Sequence, residues 1–305
     1  MAHTRLEIKG IIYVILSGLF YGLVGYFGTQ ALEYSPSIAN MLFWRFVIAS
    51  LFIALFMLPQ LKEMKIHWPA MGMIFSASAI FYGSSTFFYF TASQQMGTGI
   101  AMVIFFTYPA IVILCNRFIY KHHISPRYYF SVLFILIGLL LLIELKFNFN
   151  YLSLFIGLIS ASGYAFYIMA NKKYNQLHPL LAALMVSLGC SFFCLIFALS
   201  HNGFFMPTAP AFWVHSLGLG IISTALPILF LLKGLQYINS EKAAILGVLE
   251  PIFVALVGVL FLGEVLGVMQ TVGVAIVLLG ALLSLLSQNT GAEEKKAAQP
   301  QALKD

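Results

Sequence analysis

Two stretches of the chain follow one plan: GTGIAMVIFFTYPAIVILCNRFIYKHHIS (Gly97–Ser125) and NSEKAAILGVLEPIFVALVGVLFLGEVLG (Asn239–Gly267). Each contains an apolar run long enough to span a membrane, with a proline near the middle. Aligning these prolines, Pro109 and Pro251, also pairs Gln94 with Gln236, Phe88 with Phe230, and Gly138 with Gly280. A match shifted by one residue pairs Ser17, Tyr21 and Pro36 with Ser160, Tyr164 and Pro179. The chain is therefore predicted to contain two copies of one unit.

Each copy carries about five hydrophobic spans. A unit with an odd number of spans ends on the opposite side of the membrane from where it began, so the second copy must be inverted relative to the first. Inverted repeats are typical of secondary transporters, whose substrate site lies at the midplane where the halves meet. We expect a first five-helix repeat at 1–147, a second, inverted repeat at 148–287, and a disordered cytoplasmic tail at 288–305.

The composition indicates the same class of protein. Of the 305 residues, 61% are hydrophobic and only 9% are charged, and the mean hydropathy is +0.95. A soluble domain of this size needs a charged coat, which this chain lacks. The fold class is therefore predicted to be an all-α integral membrane protein with ten transmembrane helices. The ten apolar segments are 9–31, 37–58, 68–93, 97–119, 126–146, 151–171, 179–200, 213–235, 240–262 and 266–287.

The distribution of Lys and Arg predicts the orientation. With a cytoplasmic N-terminus, fourteen of the 16 Lys and Arg residues fall on the cytoplasmic side, whereas Lys146 lies on the other side and Arg45 within a span. Because cytoplasmic loops of membrane proteins carry an excess of Lys and Arg, both termini are expected in the cytoplasm. The basic residues lie in short loops between apolar runs, so the pI of about 9.1 does not indicate a nucleic-acid partner.

Sequence motifs of other functional classes are missing. The chain has no GxxxxGK[ST] loop for ATP and neither HExxH nor GxSxG, so we do not expect an enzyme. Cys115, Cys190 and Cys194 lie in apolar segments, which argues against disulfides. The pair His122–His123 has no further ligands on its loop, so neither a metal nor a cofactor is expected. An intramembrane enzyme and a lipid flippase, which would use the same fold with a laterally open groove, are kept as alternatives.

Some of these residues also resemble a known family. The run LEPIFVALVGVLFLGE (Leu249–Glu264), the WRF of the second span (Trp44–Phe46) and the ten-span layout resemble the EamA-type branch of the drug/metabolite transporter superfamily over residues 9–287. The resemblance implies a ten-helix inverted repeat, a central cavity lined by helices 1, 3, 4, 6, 8 and 9, and transport of small metabolites or amino acids. The first repeat departs from the pattern, with Tyr108 where the second has Glu250.

The leading hypothesis is a secondary transporter that works by alternating access around a central cavity. It would export small organic metabolites, such as amino acids or related compounds, across a bacterial inner membrane. The expected partners are a small-molecule substrate, the lipid bilayer and a proton as coupling ion, with the chain acting as a monomer or homodimer.

Two charged residues, Arg45 and Glu250, lie well inside predicted spans and away from their ends, where a charge costs roughly 2.5–3.5 kcal/mol at the helix centre. Arg45 is predicted to pair with a carboxylate or backbone carbonyls as a gating or structural residue; an interfacial, snorkelling cation is the alternative. Glu250 precedes Pro251, which cannot donate to the Gly247 carbonyl and therefore breaks the helix. Glu250 could bind a proton or a cationic substrate group, or it could brace a kink through a hydrogen bond. Pro109 is the corresponding break in the first repeat.

Polar residues recur on single faces of several predicted spans. In helix six, Ser160, Tyr164, Tyr167 and Asn171 are spaced by four, three and four residues and so share a face. Such faces are expected to surround a shared cavity, although hydrogen bonds between helices are an alternative explanation. The tyrosines favour a substrate with an apolar or aromatic body and a few polar groups. The predicted substrate-binding residues are Ser17, Tyr21, Tyr82, Thr86, Tyr89, Tyr108, Ser160, Tyr164, Tyr167 and Glu250.

Overall fold

A computed structural model describes residues 2–35, 37–121, 124–142, 151–200, 204–262 and 267–286; for 2–4, 63 and 257–262 it describes the backbone alone. Within these ranges the chain is helical and contains no strand. Several residues used in the predictions lie outside them. These are Pro36, His122, His123, Lys146, Gly263, Glu264 and the tail 288–305.

The helices fall into ten regions, named here α1 to α10. The first five are α1 (Ala2–Tyr21 and Val24–Glu33), α2 (Ile38–Met57), α3 (Trp68–Ala77, Ser78–Gly83 and Ser84–Met96), α4 (Thr98–Phe105 and Tyr108–Phe118) and α5 (Pro126–Leu142). The others are α6 (Tyr151–Lys173), α7 (Pro179–Ser200), α8 (Pro210–Leu217, Gly218–Ala225 and Leu226–Leu235), α9 (Ser240–Gly247 and Glu250–Leu262) and α10 (Val268–Leu285).

Eight of these regions are long and apolar enough to cross a membrane, counting only the described residues. The exceptions are α5, with 17 residues, and α9, which consists of pieces of 8 and 13 residues. The prediction of an all-helical, multi-pass membrane protein is therefore confirmed for the described residues. A total of ten crossings, with the second half inverted, stays a prediction.

The most extensive helix contacts join the two halves of the chain. The five most extensive pairs are α1 with α8, α5 with α10, α3 with α6, α3 with α7, and α2 with α7. In every pair one helix precedes residue 148 and the other follows it. The core of the bundle is therefore built between the halves and not within either of them.

Glycines allow α5 and α10 to approach closely. A Cβ added to Gly138 would lie 2.7 Å from Cγ2 of Val277 and 2.8 Å from the carbonyl oxygen of Gly273. A Cβ on Gly280 would lie 2.8 Å from the carbonyl oxygen of Ser131. Small residues at such a contact bring two backbones together, which strengthens van der Waals packing in a bilayer.

Replacing Gly138 with Leu is expected to destabilise the protein by about 1–3 kcal/mol, because the added side chain overlaps the α10 backbone. Thermal unfolding of the purified protein in detergent would measure the loss. Gly72→Leu is the matched control, because a Cβ there meets nothing within 4 Å. Equal unfolding temperatures for the two variants would show that the α5–α10 contact does not require glycine.

Besides the interruption of α1 after Tyr21, four helices are irregular at equivalent places in the two halves. Helices α3 and α8 each contain a π-helical segment, Ser78–Gly83 and Gly218–Ala225, and aligning Pro109 with Pro251 carries the first onto residues 220–225. Helices α4 and α9 are each interrupted just before that proline. Over their described residues, the two stretches quoted at the outset therefore share one pattern of helix, break and helix. Because π-helical turns and proline breaks free backbone groups, they often mark functional sites.

Candidate functional site

A cavity lies near the middle of the bundle, where the irregular parts of α3, α4 and α9 face α1, α2 and α6. It contains about 470 Å³ of space between atoms, of which about 60 Å³ is open to the centre of a water molecule. That space holds a few waters, so a metabolite would enter only after side chains move. The lining residues are Tyr21, Val24, Arg45, Tyr82, Thr86, Tyr89, Phe90, Phe105, Phe106, Tyr164 and Glu250.

A second, narrower cavity adjoins the first on the side of the N-terminus. It contains about 260 Å³ of space and is lined by α1, α4, α6, α8 and α9. Tyr21, Tyr164 and Glu250 line both cavities, so these side chains form the wall between them. Of the other predicted residues, Ser17 and Tyr108 line the second cavity.

Five tyrosines form a connected cluster beside the cavities. The hydroxyl oxygens of Tyr21 and Tyr82 are 3.1 Å apart, within hydrogen-bond distance. The ring of Tyr82 stacks on that of Tyr167, with centroids 4.5 Å apart, and Tyr108 meets Tyr164 edge-on at 4.8 Å. Aromatic pairs of this geometry add stability beyond their buried area. The site therefore presents ring faces and hydroxyl groups held in fixed positions.

Arg45 is anchored to the π-helical segment of α8 and is only 2% exposed. Its Nε donates to Oγ1 of Thr224 at 2.6 Å, and its Nη2 makes a longer contact of 3.4 Å with the carbonyl of Ser223. The Thr224 hydroxyl donates in turn to the carbonyl of Leu219 at 2.6 Å. The guanidinium has five N–H groups, and among the described residues only these two donor atoms have partners. The other N–H groups of the guanidinium have no hydrogen-bond partner among the described residues, and Arg45 lines the cavity.

Glu250 begins the second piece of α9, directly after the turn at Val248–Leu249. Helix α1 packs against this turn through Gly18 and Gly22; a Cβ on Gly22 would lie 3.4 Å from the carbonyl oxygen of Glu250. The Glu250 carboxylate has no hydrogen bond or ion pair with any described residue. It is therefore not braced by a described side chain, and it faces both cavities.

Other predicted residues hold helices together. Ser17 donates to the carbonyl of Pro227 at 2.8 Å, and Tyr108 donates to the carbonyl of Ala244 at 2.9 Å. Ser160 and Ser85 each donate to the other's carbonyl at 2.7 Å. Neither Ser160 nor Tyr167 lines the two central cavities. Hydrogen bonding between helices, the alternative explanation for the polar faces, accounts for Ser17, Tyr108 and Ser160.

The sequence did not point to four apolar lining residues, Val24, Phe90, Phe105 and Phe106. An apolar residue in an apolar helix carries no periodic signal that separates cavity from lipid. Phe105 and Phe106 do lie at the break in α4, and proximity to the proline was the one available signal. The family resemblance implied a cavity lined by helices 1, 3, 4, 6, 8 and 9, but α2 also lines it through Arg45.

The bundle is tied together at the end that carries the N-terminus. Lys242, 1% exposed at the start of α9, pairs with Glu7 of α1 at 2.7 Å. Lys172 of α6 donates to the carbonyls of Leu235 and Ile238, both at 2.7 Å. These contacts join α9 to α1 and α6 to the C-terminal end of α8. Within the described residues, no group of three or more His, Cys, Asp or Glu side chains is arranged to hold a metal ion.

Comparison with known families identifies the class of protein. The profile of the EamA-like transporter family matches twice, at residues 8–144 and 151–286. The chain belongs to the EamA-like transporter family. This EamA-like protein is 21% identical to the uncharacterized transporter YxxF of Bacillus subtilis (strain 168) over 93% of this chain and 91% of the relative. It is also 25% identical to the uncharacterized transporter YwfM of the same organism, over 90% of this chain and 94% of that relative.

Two further similarities concern half of the chain and the fold. An uncharacterized transporter of Archaeoglobus fulgidus is 29% identical over 153 residues, which is 49% of this chain and 53% of the archaeal protein; the match thus spans about half of that relative. A crystal structure superposes with a TM-score of 0.75 at 15% identity, over 91% of this chain and 96% of the other. This superposition shows that the EamA-like chain shares its fold with a solved structure.

Proposed function

We propose that this EamA-like protein is a secondary transporter that exports amino acids or related zwitterionic metabolites across the inner membrane. The observation that carries the proposal is that Arg45 and Glu250 line one cavity together with tyrosine and phenylalanine rings. Buried charges are costly, and within a membrane protein they mark substrate or ion pathways.

The chemistry of the two charged groups favours a zwitterion. The free N–H donors of the Arg45 guanidinium suit a carboxylate, since guanidinium and carboxylate match in geometry. The Glu250 carboxylate suits an ammonium group. The rings of Tyr82, Tyr89 and Phe105 line the same cavity and suit an apolar or aromatic body. An amino acid with a large apolar side chain carries all three features.

Alternating access is supported by the irregular helices. We infer ten membrane spans in two inverted repeats, 1–147 and 148–287, so that the breaks before Pro109 and Pro251 sit at the midplane. The contacts Glu7–Lys242 and Lys172–Leu235 join α9 to α1 and α6 to α8 at one end of the bundle. Export would require these contacts to open toward the cytoplasm and re-form after the substrate has entered. The breaks in α4 and α9 supply positions where helices bend without exposing unpaired backbone groups to lipid.

The charge bias predicts that the end carrying the N-terminus faces the cytoplasm. In a background without the three native cysteines, a cysteine at Thr208 is expected to react with an impermeant thiol reagent added to intact cells. A cysteine at Lys173 is expected to react only after the cells are opened. Both positions are exposed, on opposite ends of the bundle. Strong labelling of position 173 in intact cells would overturn the orientation.

Transport in proteoliposomes tests the substrate class. Efflux of phenylalanine and leucine would be compared with that of phenethylamine and 3-phenylpropionate, which each lack one of the two charged groups. We expect the zwitterions to move at least about tenfold faster than either analogue, because each charge-assisted hydrogen bond contributes about 1.5–3 kcal/mol. Equal rates for all four compounds would contradict the proposal. Movement of labelled phospholipid without amino-acid transport would favour the flippase alternative.

A further inference from the structure

A third cavity, with more space than the two central cavities, opens at the end of the bundle that carries the N-terminus. It contains about 1050 Å³ of space, of which about 550 Å³ is open to the centre of a water molecule. Its walls come from α1, α8 and the connections between α2 and α3 and between α6 and α7. It shares no lining residue with the two central cavities. We call it the basic vestibule, after its main lining residues Lys9, Tyr13, Lys65, His178, Lys233 and Tyr237.

Positive charge in the basic vestibule is not balanced by described side chains. Lys9, Lys65 and Lys233 form no ion pair with any described residue, and the described lining contains no carboxylate. The ammonium groups of Lys9 and Lys233 lie 5.9 and 5.8 Å from the centroid of the same Tyr13 ring. Lys9 also lies 5.7 Å from the centroid of Tyr237. Cation–π contacts hold these ammonium groups near one another, although like charges repel.

An uncharged hydrogen-bonding group lies in the same wall. Nδ1 of His178 is buried and has no hydrogen-bond partner among the described residues. Burial and the neighbouring Lys233 ammonium lower the pKa of His178 below its usual range, so the imidazole is neutral near pH 7. His178 immediately precedes α7, whose 22 residues place the positive end of a helix dipole on this wall. The three ammonium groups and the N-terminal end of α7 therefore favour an anion at this wall.

We propose that the basic vestibule binds a phosphate group through Lys9, Lys65 and Lys233. Three ammonium groups around one space match a doubly charged oxyanion better than a single carboxylate, and lysine is a common phosphate ligand. The phosphate could belong to a soluble compound or to the headgroup of an anionic phospholipid, which attracts basic residues at the cytoplasmic surface. This site is additional to the proposed transport site.

Bound phosphate would link the two halves of the chain. Lys9 lies in α1 and Lys65 follows α2, whereas Lys233 lies in α8. An anion held by all three adds a bridge at the end already tied by Glu7 and Lys242. The ligand is therefore expected to stabilise the conformation in which this end is closed.

Thermal unfolding of the full-length protein in neutral detergent tests the proposal without measuring transport. The probes are inorganic phosphate, sodium chloride at the same ionic strength, short-chain phosphatidylglycerol and short-chain phosphatidylcholine. At about ten times its dissociation constant, the phosphate-bearing ligand is expected to raise the unfolding temperature by about 2–5 °C. The test variant is Lys9→Gln/Lys65→Gln/Lys233→Gln. The control variant, Lys62→Gln/Lys173→Gln, removes exposed lysines from the same end.

Comparing inorganic phosphate with phosphatidylglycerol distinguishes the two sources of the phosphate group. If inorganic phosphate raises the unfolding temperature of the wild-type protein and of the control variant but not of the test variant, the ligand is a soluble phosphate compound. If only phosphatidylglycerol raises the unfolding temperature, the ligand is a phospholipid headgroup. No shift with either probe, or the same shift in both variants, overturns the site. Amine acetylation of the wild-type protein followed by peptide mass spectrometry gives a result even if the test variant does not fold. Bound phosphate should slow labelling of Lys9, Lys65 and Lys233 severalfold relative to Lys173, and equal labelling would contradict the proposal.

Discussion

Glu250→Gln is expected to slow amino-acid transport by about 10- to 100-fold and to remove its dependence on a pH gradient. Glutamine keeps the size of the side chain, but it neither binds a proton nor neutralises an ammonium group. Loss of one charge-assisted hydrogen bond, about 1.5–3 kcal/mol, gives the expected range. Initial efflux rates from proteoliposomes at several internal and external pH values would measure both effects.

The matched control for Glu250 is Glu33→Gln, because Glu33 is an exposed glutamate at the far end of α1. This variant is expected to transport at the wild-type rate with the wild-type response to pH. If Glu250→Gln retained both properties as well, Glu250 would be a structural residue, and the proposal of proton coupling at this site would fail.

Arg45→Lys is expected to weaken amino-acid binding by about 10- to 100-fold although it conserves the charge. Lysine cannot donate to the Thr224 hydroxyl from the position of Nε while presenting further donors to the cavity. The loss of the planar group therefore removes either the anchor or the substrate contact. Equilibrium binding of labelled phenylalanine to the detergent-solubilised protein would measure the change.

Binding and folding must be separated for this buried residue. Arg45→Lys is also expected to lower stability by about 1–3 kcal/mol, because it leaves part of a buried hydrogen-bond network unsatisfied. Arg117→Lys, at an exposed position of α4, is expected to change neither quantity. Lost stability with unchanged affinity in Arg45→Lys would show that Arg45 only anchors α2 to α8.

The helical fold and its two proline breaks could be predicted because they depend on local sequence. Length and apolarity delimit a membrane helix, and a proline that cannot donate a hydrogen bond locates a break. The breaks before Pro109 and Pro251 were predicted on that basis, and the structure has them. Neither π-helical segment was predicted, since no residue type requires one.

The cavity lining could be predicted only in part, because periodicity tells which residues share a face but not which helix that face meets. Ser160 and Tyr164 do share a face of α6. One turn of that face contacts Ser85 of α3, whereas the next reaches the cavity. The partners of Arg45 come from α8, well over a hundred residues away in sequence, and depend on how α2 and α8 pack.

The pairing of helices across the midpoint of the chain has a consequence for biosynthesis. Helices α1 to α5 leave the ribosome before any of their closest partners, α6, α7, α8 and α10, has been made. The polar and glycine-containing faces of α1 to α5 therefore remain without their partner helices, in the bilayer or at the insertion machinery, until the second half has been synthesised. Helix α10, the last of the described helices to emerge, completes the contact with α5. A ribosome that stalls shortly before α10 would leave the glycine face of α5 uncovered in the bilayer, so one of the most extensive helix contacts in the bundle cannot form until α10 is inserted.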